Sequence, residues 1–162
     1  MTKEVPLTQG KLALVDDEDY SRIMIYKWCA VKGRNAWYAK RRDGKNILYL
    51  HRIILDAKPG EECDHINGDG LDNRKSNLRI VTHQQNQHNQ RKLNPRSSKY
   101  KGVCKRKDRR GWDAYIQVNY EQIHLGTFDS EEEAAKAYDA KAVEFYGEYA
   151  RINFPLGSLP SA

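Results

Sequence analysis

The densest group of chemically active side chains lies between Cys63 and Asn86. A carboxylate and an imidazole, Asp64 and His65, end a short strand-like run, and a polar loop, a second short run and a helix follow. We expect Thr82 to be the N-cap of that helix, because a threonine hydroxyl can accept a hydrogen bond from the first helical turn. A hairpin packed on this helix would bring the Asp-His pair close to Asn86.

These residue types could bind a metal ion and move a proton. Carboxylate and amide oxygens from Asp64 and Asn86 are hard ligands, which suit Mg²⁺ or Mn²⁺ better than a structural zinc ion. Next to such an ion, neutral His65 could take a proton from an attacking water molecule. The alternative is that the Asp, Asn and Gly residues of this loop only satisfy turns, as these residue types usually do.

The spacing of these residues resembles that of the HNH endonucleases with a ββα-metal site, in particular the group found in phages and group I introns. Asn77 follows His65 by twelve residues, and Asn86 follows Asn77 by nine, within D-H-I-N-G-D-G-L-D-N-R-K-S-N-L-R-I-V-T and the residues after it. The resemblance implies that His65 is the general base and that Asn77 holds the loop. It also implies Asp64 and Asn86 as ligands of Mg²⁺ or Mn²⁺, since an Asn replaces the third residue of the name-giving pattern.

Several neighbours of the motif have two interpretations. His83 lies one helical turn before the third motif residue, where it is either an additional metal or phosphate ligand or a solvated residue. His51, in Leu50-His51-Arg52, matches a His-Arg pair often found upstream in these proteins, and it is either a supporting or DNA-facing residue or a structural histidine. Arg74 and Arg79 are candidates for contacts with DNA phosphates.

The elements that must position the motif begin with a mainly antiparallel N-terminal region. Its predicted strands are Lys11 to Val15, Ile23 to Val31, Ala36 to Arg41 and Ile47 to Leu55. The region resembles the N-terminal portion commonly attached to HNH modules. Its basic loop residues form either part of a DNA path or a solvated basic face, and they are Lys32, Arg34, Lys40, Arg41, Arg42 and Lys45.

A second group of residues, 99–110, contains seven basic side chains and one acidic side chain. It lies on and between predicted strands at Gly102 to Arg106, Trp112 to Val118 and Ile123 to Phe128. Alternation along these strands would point one set of side chains outward and give the sheet a positive face. The alternative is that these charged residues only face solvent, as runs of charge usually do. A β-ribbon of this kind has the width to enter the major groove of DNA.

One clear helix follows the third strand. Ser130 and Glu133 have the spacing of a capping box, and Gly147 is a typical C-terminal stop. Apolar residues at spacings of three and four predict a stripe that packs on the sheet. The stripe consists of Ala134, Ala137, Tyr138, Ala142 and Phe145.

This half of the chain resembles the AP2/ERF DNA-binding domain through ordered pieces that include K-Y-K-G-V, G-W-D-A-Y-I, H-L-G-T-F-D and E-E-E-A-A-K-A-Y-D. In that family a three-stranded antiparallel sheet contacts the major groove and a helix backs it. The DNA-binding candidates are Lys101, Lys105, Arg106, Arg109, Arg110, Trp112, Tyr115, Gln117 and His124. Cys104, Gln117 and His124 differ from the plant consensus, so the base preference of that family does not transfer.

We therefore predict an α+β chain with a nuclease domain and its β extension at 1–93, a linker at 94–97, an AP2-like domain at 98–155 and a flexible tail at 156–162. The 28 basic and 22 acidic residues, a net charge of +6, suit a polyanionic partner such as double-stranded DNA. The chain has no apolar run that would form a membrane span or a signal peptide, so we expect a cytoplasmic protein without a membrane partner.

The expected function is metal-dependent cleavage of DNA, of the homing type, with either one or both strands cut. A monomer with one site would nick, and the sequence leaves the oligomeric state open. The alternative is a DNA-binding regulator or recombination accessory protein that does not cleave. RNA binding through the basic sheet is a weaker third interpretation, because A-form RNA hides the groove that a β-ribbon would enter.

Overall fold

The computed structural model describes residues 1–90, 97–106 and 110–154. The chain divides into two units, Met1–Gln87 and His88–Ala162. Most of the predicted linker at 94–97 and all of the predicted tail at 156–162 lie outside the described residues. No helix in the described part of the chain is long and apolar enough to cross a membrane.

The first unit is built from antiparallel strands and short helices. Its strands are β1 (Thr2–Pro6), β2 (Leu12–Asp16), β3 (Cys29–Lys32), β4 (Trp37–Asp43), β5 (Asn46–Tyr49), β6 (Glu62–His65) and β7 (Leu78–Val81). Its helices are α1 (Asp17–Met24), α2 (Leu50–Ile54) and α3 (His83–Asn89), of which α3 belongs to this unit up to Gln87. The sheets have the strand orders β1-β2, β3-β4-β5 and β6-β7, with antiparallel pairing.

The core of this unit collects apolar residues from the first two strands and the first two helices. Ile23 of α1 and Leu50 of α2 are almost completely buried. Trp28 is also buried, and its indole Nε1 donates to the carbonyl oxygen of Ile23 at 3.0 Å, which satisfies an acceptor in the last turn of α1. The buried cluster comprises Val5, Ala13, Val15, Ile23, Trp28, Ala39, Leu50, Ile54 and Leu78.

Two of the predicted strands are wrong over part of their length. The run Ile23 to Val31 contains the end of α1, and β3 begins only at Cys29. The run Ile47 to Leu55 contains the end of β5 and the whole of α2. Leu50 and Ile54 are both buried at a spacing of four, which is a helical period, but short apolar runs do not distinguish a strand from a helix.

The second unit is a three-stranded antiparallel sheet backed by one helix, as predicted. It contains β8 (Val103–Lys105), β9 (Trp112–Val118), β10 (Glu121–Phe128) and α4 (Glu131–Tyr146), with the strand order β10-β9-β8. Ala114 and Ile116 of β9 are buried with Ala134 and Tyr138 of α4. The apolar side of the sheet therefore faces the helix.

The ends of α4 follow the sequence prediction, and its apolar stripe does so only in part. Ser130 and Glu133 form the capping box, and Gly147 ends the helix with a positive φ of 55°. Tyr138 is buried as expected, whereas Phe145 is 44% exposed, so its predicted core position is wrong. Ala135 is buried instead, because the sheet covers a face of the helix rotated away from Phe145.

Candidate active site

The β6–β7 hairpin and the start of α3 form the ββα arrangement that the sequence predicts. The two strands pair so that Asp64 lies opposite Arg79, and His65 is the last residue of β6. The Thr82 hydroxyl accepts a hydrogen bond from the N–H of Gln85 at 3.2 Å, and the Gln85 side chain accepts from the N–H of Thr82 at 2.9 Å. This reciprocal capping confirms the predicted start of the helix.

The imidazole of His65 is 6% exposed and is oriented by Asn73. Its Nε2 lies 3.3 Å from Oδ1 of Asn73, whose amide nitrogen donates to the carbonyl oxygen of Leu71 at 3.0 Å. An amide oxygen can only accept a hydrogen bond, so Nε2 of His65 carries the hydrogen and donates it to the oxygen of Asn73. The neutral ring in this tautomer has its proton-accepting lone pair on Nδ1.

Burial lowers the pKa of His65 below its ordinary value. The hydrogen bond that His65 donates to Asn73 and the negative charge of Asp64 act in the opposite direction, and burial outweighs them. A histidine with a lowered pKa is neutral at pH 7, as a proton acceptor must be. The contact between Asn73 and His65 depends on the folded shape of the loop, and the spacing of the motif does not reveal it.

The loop between β6 and β7 is held together by Asn77, which is 7% exposed. Its Oδ1 accepts from the N–H of Asn67 at 3.0 Å. Its Nδ2 donates to the carbonyl oxygen of Asp72 at 2.7 Å and to Oδ1 of Asn67 at 3.1 Å. One side chain thus joins both ends of the loop to its middle.

Replacing Asn77 by alanine is expected to loosen this loop. The change leaves the N–H of Asn67 and the carbonyl oxygen of Asp72 without their partners, at a cost of about 2–3 kcal/mol. Hydrogen exchange over residues 66–77 should become faster, whereas the exposed Asn46→Ala change should leave it unaltered. Unchanged exchange in Asn77→Ala would show that other contacts hold the loop.

The strand β2, which pairs with β1, supports the same loop. The N–H of Leu14 donates to the carbonyl oxygen of Leu71 at 2.8 Å, and the N–H of Asn73 donates to the carbonyl oxygen of Leu14 at 2.8 Å. A carboxylate oxygen of Asp16 accepts from the N–H of Lys75 at 2.7 Å. Because Asn73 orients His65, the β1–β2 extension helps to position the catalytic candidate.

Asp64 lies in a buried ion pair with Arg79. Nε and Nη2 of Arg79 lie 3.0 Å and 2.8 Å from Oδ2 of Asp64. The side chains of Asp64 and Arg79 are only 7% and 13% exposed, so water screens their interaction weakly. This places Arg79 against the predicted metal ligand, and its predicted contact with a DNA phosphate stays a prediction.

The start of α3 is joined to β6 through Glu62, a residue that the sequence analysis did not select. Nδ2 of Asn86 donates to Oε2 of Glu62 at 2.8 Å, and Nδ1 of His83 lies 2.7 Å from Oε1. These two hydrogen bonds lower the pKa of Glu62, so its carboxylate is charged at neutral pH. Glu62 and Asp64 are two residues apart on β6, so their side chains lie on the same face of the strand. That spacing is the sequence signal that could have identified Glu62.

The chemistry of the donors fits a hard divalent ion. Asp64 supplies a carboxylate, and Asn86 can supply its carboxamide oxygen because its amide nitrogen donates to Glu62. Within residues 1–90, 97–106 and 110–154, no group of three or more His, Cys, Asp or Glu side chains could hold a metal ion. An ion bound here would therefore take most of its ligands from water and phosphate oxygens, as Mg²⁺ commonly does.

Two rings contact that of His65, and a third packs on them, in a cluster that the sequence did not predict. The ring centroids of His51 and Tyr38 lie 5.0 Å and 5.9 Å from that of His65. Tyr49 lies 5.6 Å from His51. Burial, with a smaller contribution from the negative charge of Asp64, raises the pKa of Tyr38.

The arginines predicted to contact DNA from the first unit differ in their surroundings. The guanidinium of Arg41 lies 3.9 Å from the ring centroid of Tyr26, and Arg42 is exposed. Nε of Arg74 donates to Oδ1 of Asp72 at 2.7 Å. Arg42 is therefore the residue of this group that is best placed for a phosphate, although contacts with DNA remain predictions for all of them.

The outward face of the second unit is defined by β9 and β10. Tyr115 and Gln117 alternate with buried residues of β9, and Tyr115 pairs with His124 across the strands, with ring centroids 4.9 Å apart. Asp113 lies on the same face and accepts a hydrogen bond from the Thr127 hydroxyl at 2.6 Å. The described part of this face therefore carries polar and aromatic side chains, the carboxylate of Asp113 and the guanidinium of Arg106 beside Thr127, and the predicted positive surface stays a prediction.

The other DNA-binding candidates of this unit lie in several environments. Lys105 and Arg110 are exposed, and Nη1 of Arg106 donates to the Thr127 hydroxyl at 3.4 Å. Trp112 packs against the core on the helix side of the sheet, which favours a role in packing. Arg109 lies outside the described residues.

Lys101 has its ammonium group inside the second unit, where Nζ donates to the carbonyl oxygen of His88 at 2.5 Å. Burial, with a smaller contribution from the charge of Arg151, lowers the pKa of Lys101 to about 8. Below pH 8 both the folded and unfolded states carry the proton, and between about pH 8 and 10.5 only the unfolded state does. Stability should therefore rise with pH in that window.

Replacing Lys101 by methionine is expected to remove this pH dependence and to stabilise the second unit at pH 7 by about 1–2 kcal/mol, since no buried charge remains. Thermal unfolding between pH 7 and 10 measures both effects. The exposed Lys105→Met change is the control and should alter neither. If the stability of Lys101→Met still rises between pH 8 and 10 as that of the wild type does, another group is responsible for the pH dependence.

Comparisons with known proteins give two kinds of match. The model of a family described as HNH endonuclease matches residues 48–88. An HNH endonuclease of Acanthamoeba polyphaga mimivirus is 30% identical over 149 residues, which cover 90% of this chain and 76% of that protein.

The second kind of match is to plant proteins over part of the chain. An AP2/ERF and B3 domain-containing protein of Oryza sativa subsp. japonica is 46% identical over 66 residues, 41% of this chain and 18% of that protein. An AP2-like ethylene-responsive transcription factor of Arabidopsis thaliana is 36% identical over 73 residues, 39% of this chain and 24% of that protein. The chain thus spans less than a quarter of each plant relative.

The family match and the site geometry coincide. The matched residues 48–88 contain Asp64, His65, Asn77 and Asn86, which the ββα arrangement presents on one hairpin and the helix after it. The mimivirus relative extends the similarity over nearly the whole chain. The chain therefore belongs to the HNH endonucleases.

Proposed function

We propose that this HNH endonuclease hydrolyses phosphodiester bonds of double-stranded DNA with the help of Mg²⁺ or Mn²⁺. The observation that supports the proposal most is the buried imidazole of His65, which follows Asp64 directly on β6 and which Asn73 holds in one tautomer. Asn86 adds an amide oxygen from a helix that Glu62 ties to the same hairpin.

In the proposed reaction, Nδ1 of His65 takes a proton from the water molecule that attacks the scissile phosphate. Asp64 and Asn86 would hold the divalent ion, which supplies positive charge against the pentavalent phosphate and the departing 3′ oxygen. Asn77 keeps the loop closed, so that Asn73 stays in contact with the imidazole. The products carry 5′-phosphate and 3′-hydroxyl ends.

The nature of these ends gives a direct test. Plasmid treated with the enzyme and Mg²⁺ should be nicked, and DNA ligase alone should reseal the nicks, because it requires a 5′-phosphate and a 3′-hydroxyl. EDTA should prevent the nicking. Nicks that need a kinase or phosphatase before ligation would contradict the proposed hydrolysis.

We propose residues 1–93 as the nuclease domain and residues 98–155 as the domain that positions it on DNA. The similarity to plant AP2 proteins and the outward side chains of Tyr115, Gln117 and His124 support this division of roles. Phosphate contacts from exposed basic residues such as Lys105 and Arg110 would supply affinity. Competition between duplex DNA and duplex RNA of equal length tests the preference for DNA.

One site cuts one strand, so a monomer should nick, and a double-strand break needs two copies or two encounters. A homing role, in which cleavage spreads the gene of the enzyme, is part of the proposal because the motif resembles the phage and intron group. A cut confined to one sequence in a DNA of genomic length is the expected result for that role.

One contact favours a second candidate, a DNA-binding regulator that does not cleave. The guanidinium of Arg79 donates two hydrogen bonds to Oδ2 of Asp64, so it would compete with a metal ion for this carboxylate. Arg79→Gln separates the two functions. A gain of metal-dependent cleavage in this variant, with none in the wild type, would identify Arg79 as the residue that keeps the wild-type site inactive.

A further inference from the structure

A cleft of about 480 Å³ lies beside the candidate active site within the first unit. Its lining includes the rings of Tyr38, Tyr49 and His51, together with the side chains of Glu62 and Asn86. The volume falls in the range of about 300–1,000 Å³ that encloses small organic groups. Because Asn86 is also the proposed metal ligand, the cleft adjoins the site of hydrolysis.

The aromatic part of the cleft is held in place by its surroundings. A Cβ at Gly33 would lie 2.7 Å from Cε2 of Tyr38, and a Cβ at Gly70 would lie 2.6 Å from Cδ1, so glycine is required on both sides of this ring. The rings of Tyr49 and His51 lie 5.6 Å apart at an angle of 31°. A fixed set of rings of this kind suits a planar aromatic group.

His51 links the cleft to the catalytic candidate, because its ring lies 5.0 Å from that of His65. Burial lowers the pKa of His51 to about 3, so the ring is neutral under working conditions. Its Nδ1 is buried and has no hydrogen-bond partner among the described residues, which leaves Nε2 as the accessible ring nitrogen. The imidazole can therefore offer one polar atom beside its aromatic face.

The lining of the cleft has no net positive charge that would favour a phosphate as the occupant, because Lys32 and Arg52 are balanced by Glu61 and Glu62. Arg52 donates to the carbonyl oxygens of Lys58 and Glu61 at 2.8 Å and 2.7 Å, so its guanidinium is already engaged. A phosphate would also meet the carboxylate of Glu62 in the lining, which disfavours an anion. A neutral heterocycle with hydrogen-bonding edges fits these walls better than an anion.

We propose that this cleft binds one unpaired nucleobase of the DNA strand that is cut. The inference rests on the proposed function, because a nucleotide whose phosphate lies at His65 carries a base close to the ring of His51. In a duplex that base is paired and stacked, so it must leave the helix to enter the cleft. Tyr49 and His51 then stack on it, and this contact fixes the phosphate at the active site.

The test uses the full-length protein and a duplex that contains its mapped cleavage site. Mismatches are introduced one at a time in the uncut strand, opposite each of the nearest positions on both sides of the cut, and single-turnover rates are measured. A mismatch at the position of the flipped base removes the cost of unpairing, so wild-type cleavage should become about tenfold faster there and only there.

Tyr49→Leu removes the stacking surface at similar volume, whereas Tyr49→Phe keeps it. Tyr49→Leu should cleave the paired duplex at least about tenfold more slowly than the wild type, and Tyr49→Phe should cleave it normally. Tyr26→Leu, outside the cleft, is the matched control.

The outcomes separate this inference from the proposed function. Wild-type cleavage with equal rates on all mismatched duplexes, or a Tyr49→Leu variant that cuts like the wild type, would overturn the nucleobase site and leave the nuclease intact. Failure of the wild type to cut any DNA with metal would overturn both.

Discussion

The His65→Ala variant is expected to bind DNA as the wild type does and to cleave it on the order of 10³-fold more slowly. The imidazole is the proton acceptor in the proposed reaction, and alanine offers no replacement. Binding should persist because His65 is buried and the exposed basic residues proposed to contact phosphates are unchanged. Single-turnover cleavage and fluorescence anisotropy with the same labelled duplex measure the two properties.

The matched control for this variant is His124→Ala, which removes an exposed histidine from the outward face of the second unit. Its expected phenotype is the reverse, with weaker binding and a normal rate at saturating enzyme. If His65→Ala instead lost binding, cleavage and thermal stability together, the role of His65 would be structural, and the tautomer held by Asn73 would have no catalytic meaning.

The Asp64→Asn variant is expected to lose metal-dependent cleavage by about 10²- to 10³-fold, since the site loses its carboxylate ligand while the shape of the side chain is kept. Titration with Mg²⁺ should no longer reach saturation in the range where the wild type does. The asparagine change is preferred to alanine because Arg79 is 13% exposed and would be left as a buried charge with a cavity beside it.

Arg79→Gln provides the second half of this test. It keeps Asp64 and removes the competing cation, so the variant should reach half-maximal cleavage at a lower Mg²⁺ concentration than the wild type. Wild-type cleavage by Asp64→Asn, or cleavage that survives in EDTA, would exclude Asp64 as a metal ligand.

The backbone of the site was predictable because its signals are local. The Asp-His pair, the polar loop and the threonine cap lie within one short stretch, and the structure confirms the hairpin and helix that they predict. The α4 helix was predictable for the same reason, because Ser130 and Glu133 specify its start through their own hydrogen bonds. The roles assigned to the site residues remain predictions.

The surroundings of the site depend on contacts between distant segments, and these were not predicted. Tyr38 reaches the site from β4 and Asn73 is positioned by the carbonyl oxygen of Leu14, so neither role is visible in local spacing. The helix at Leu50–Ile54 was predicted as a strand because its apolar residues continue those of β5. Likewise, the sequence shows the charge of Lys101 and not its burial.

The most direct test of the proposed hydrolysis is the conversion of supercoiled plasmid by the protein with Mg²⁺, Mn²⁺ or EDTA, with His65→Ala in parallel. We expect open circles from the wild type in either metal, none in EDTA, and a much lower yield from the variant. Linear product at early times would mean paired cutting by two copies. Binding to plasmid that carries its preferred site, without cleavage in any metal, would contradict the nuclease mechanism.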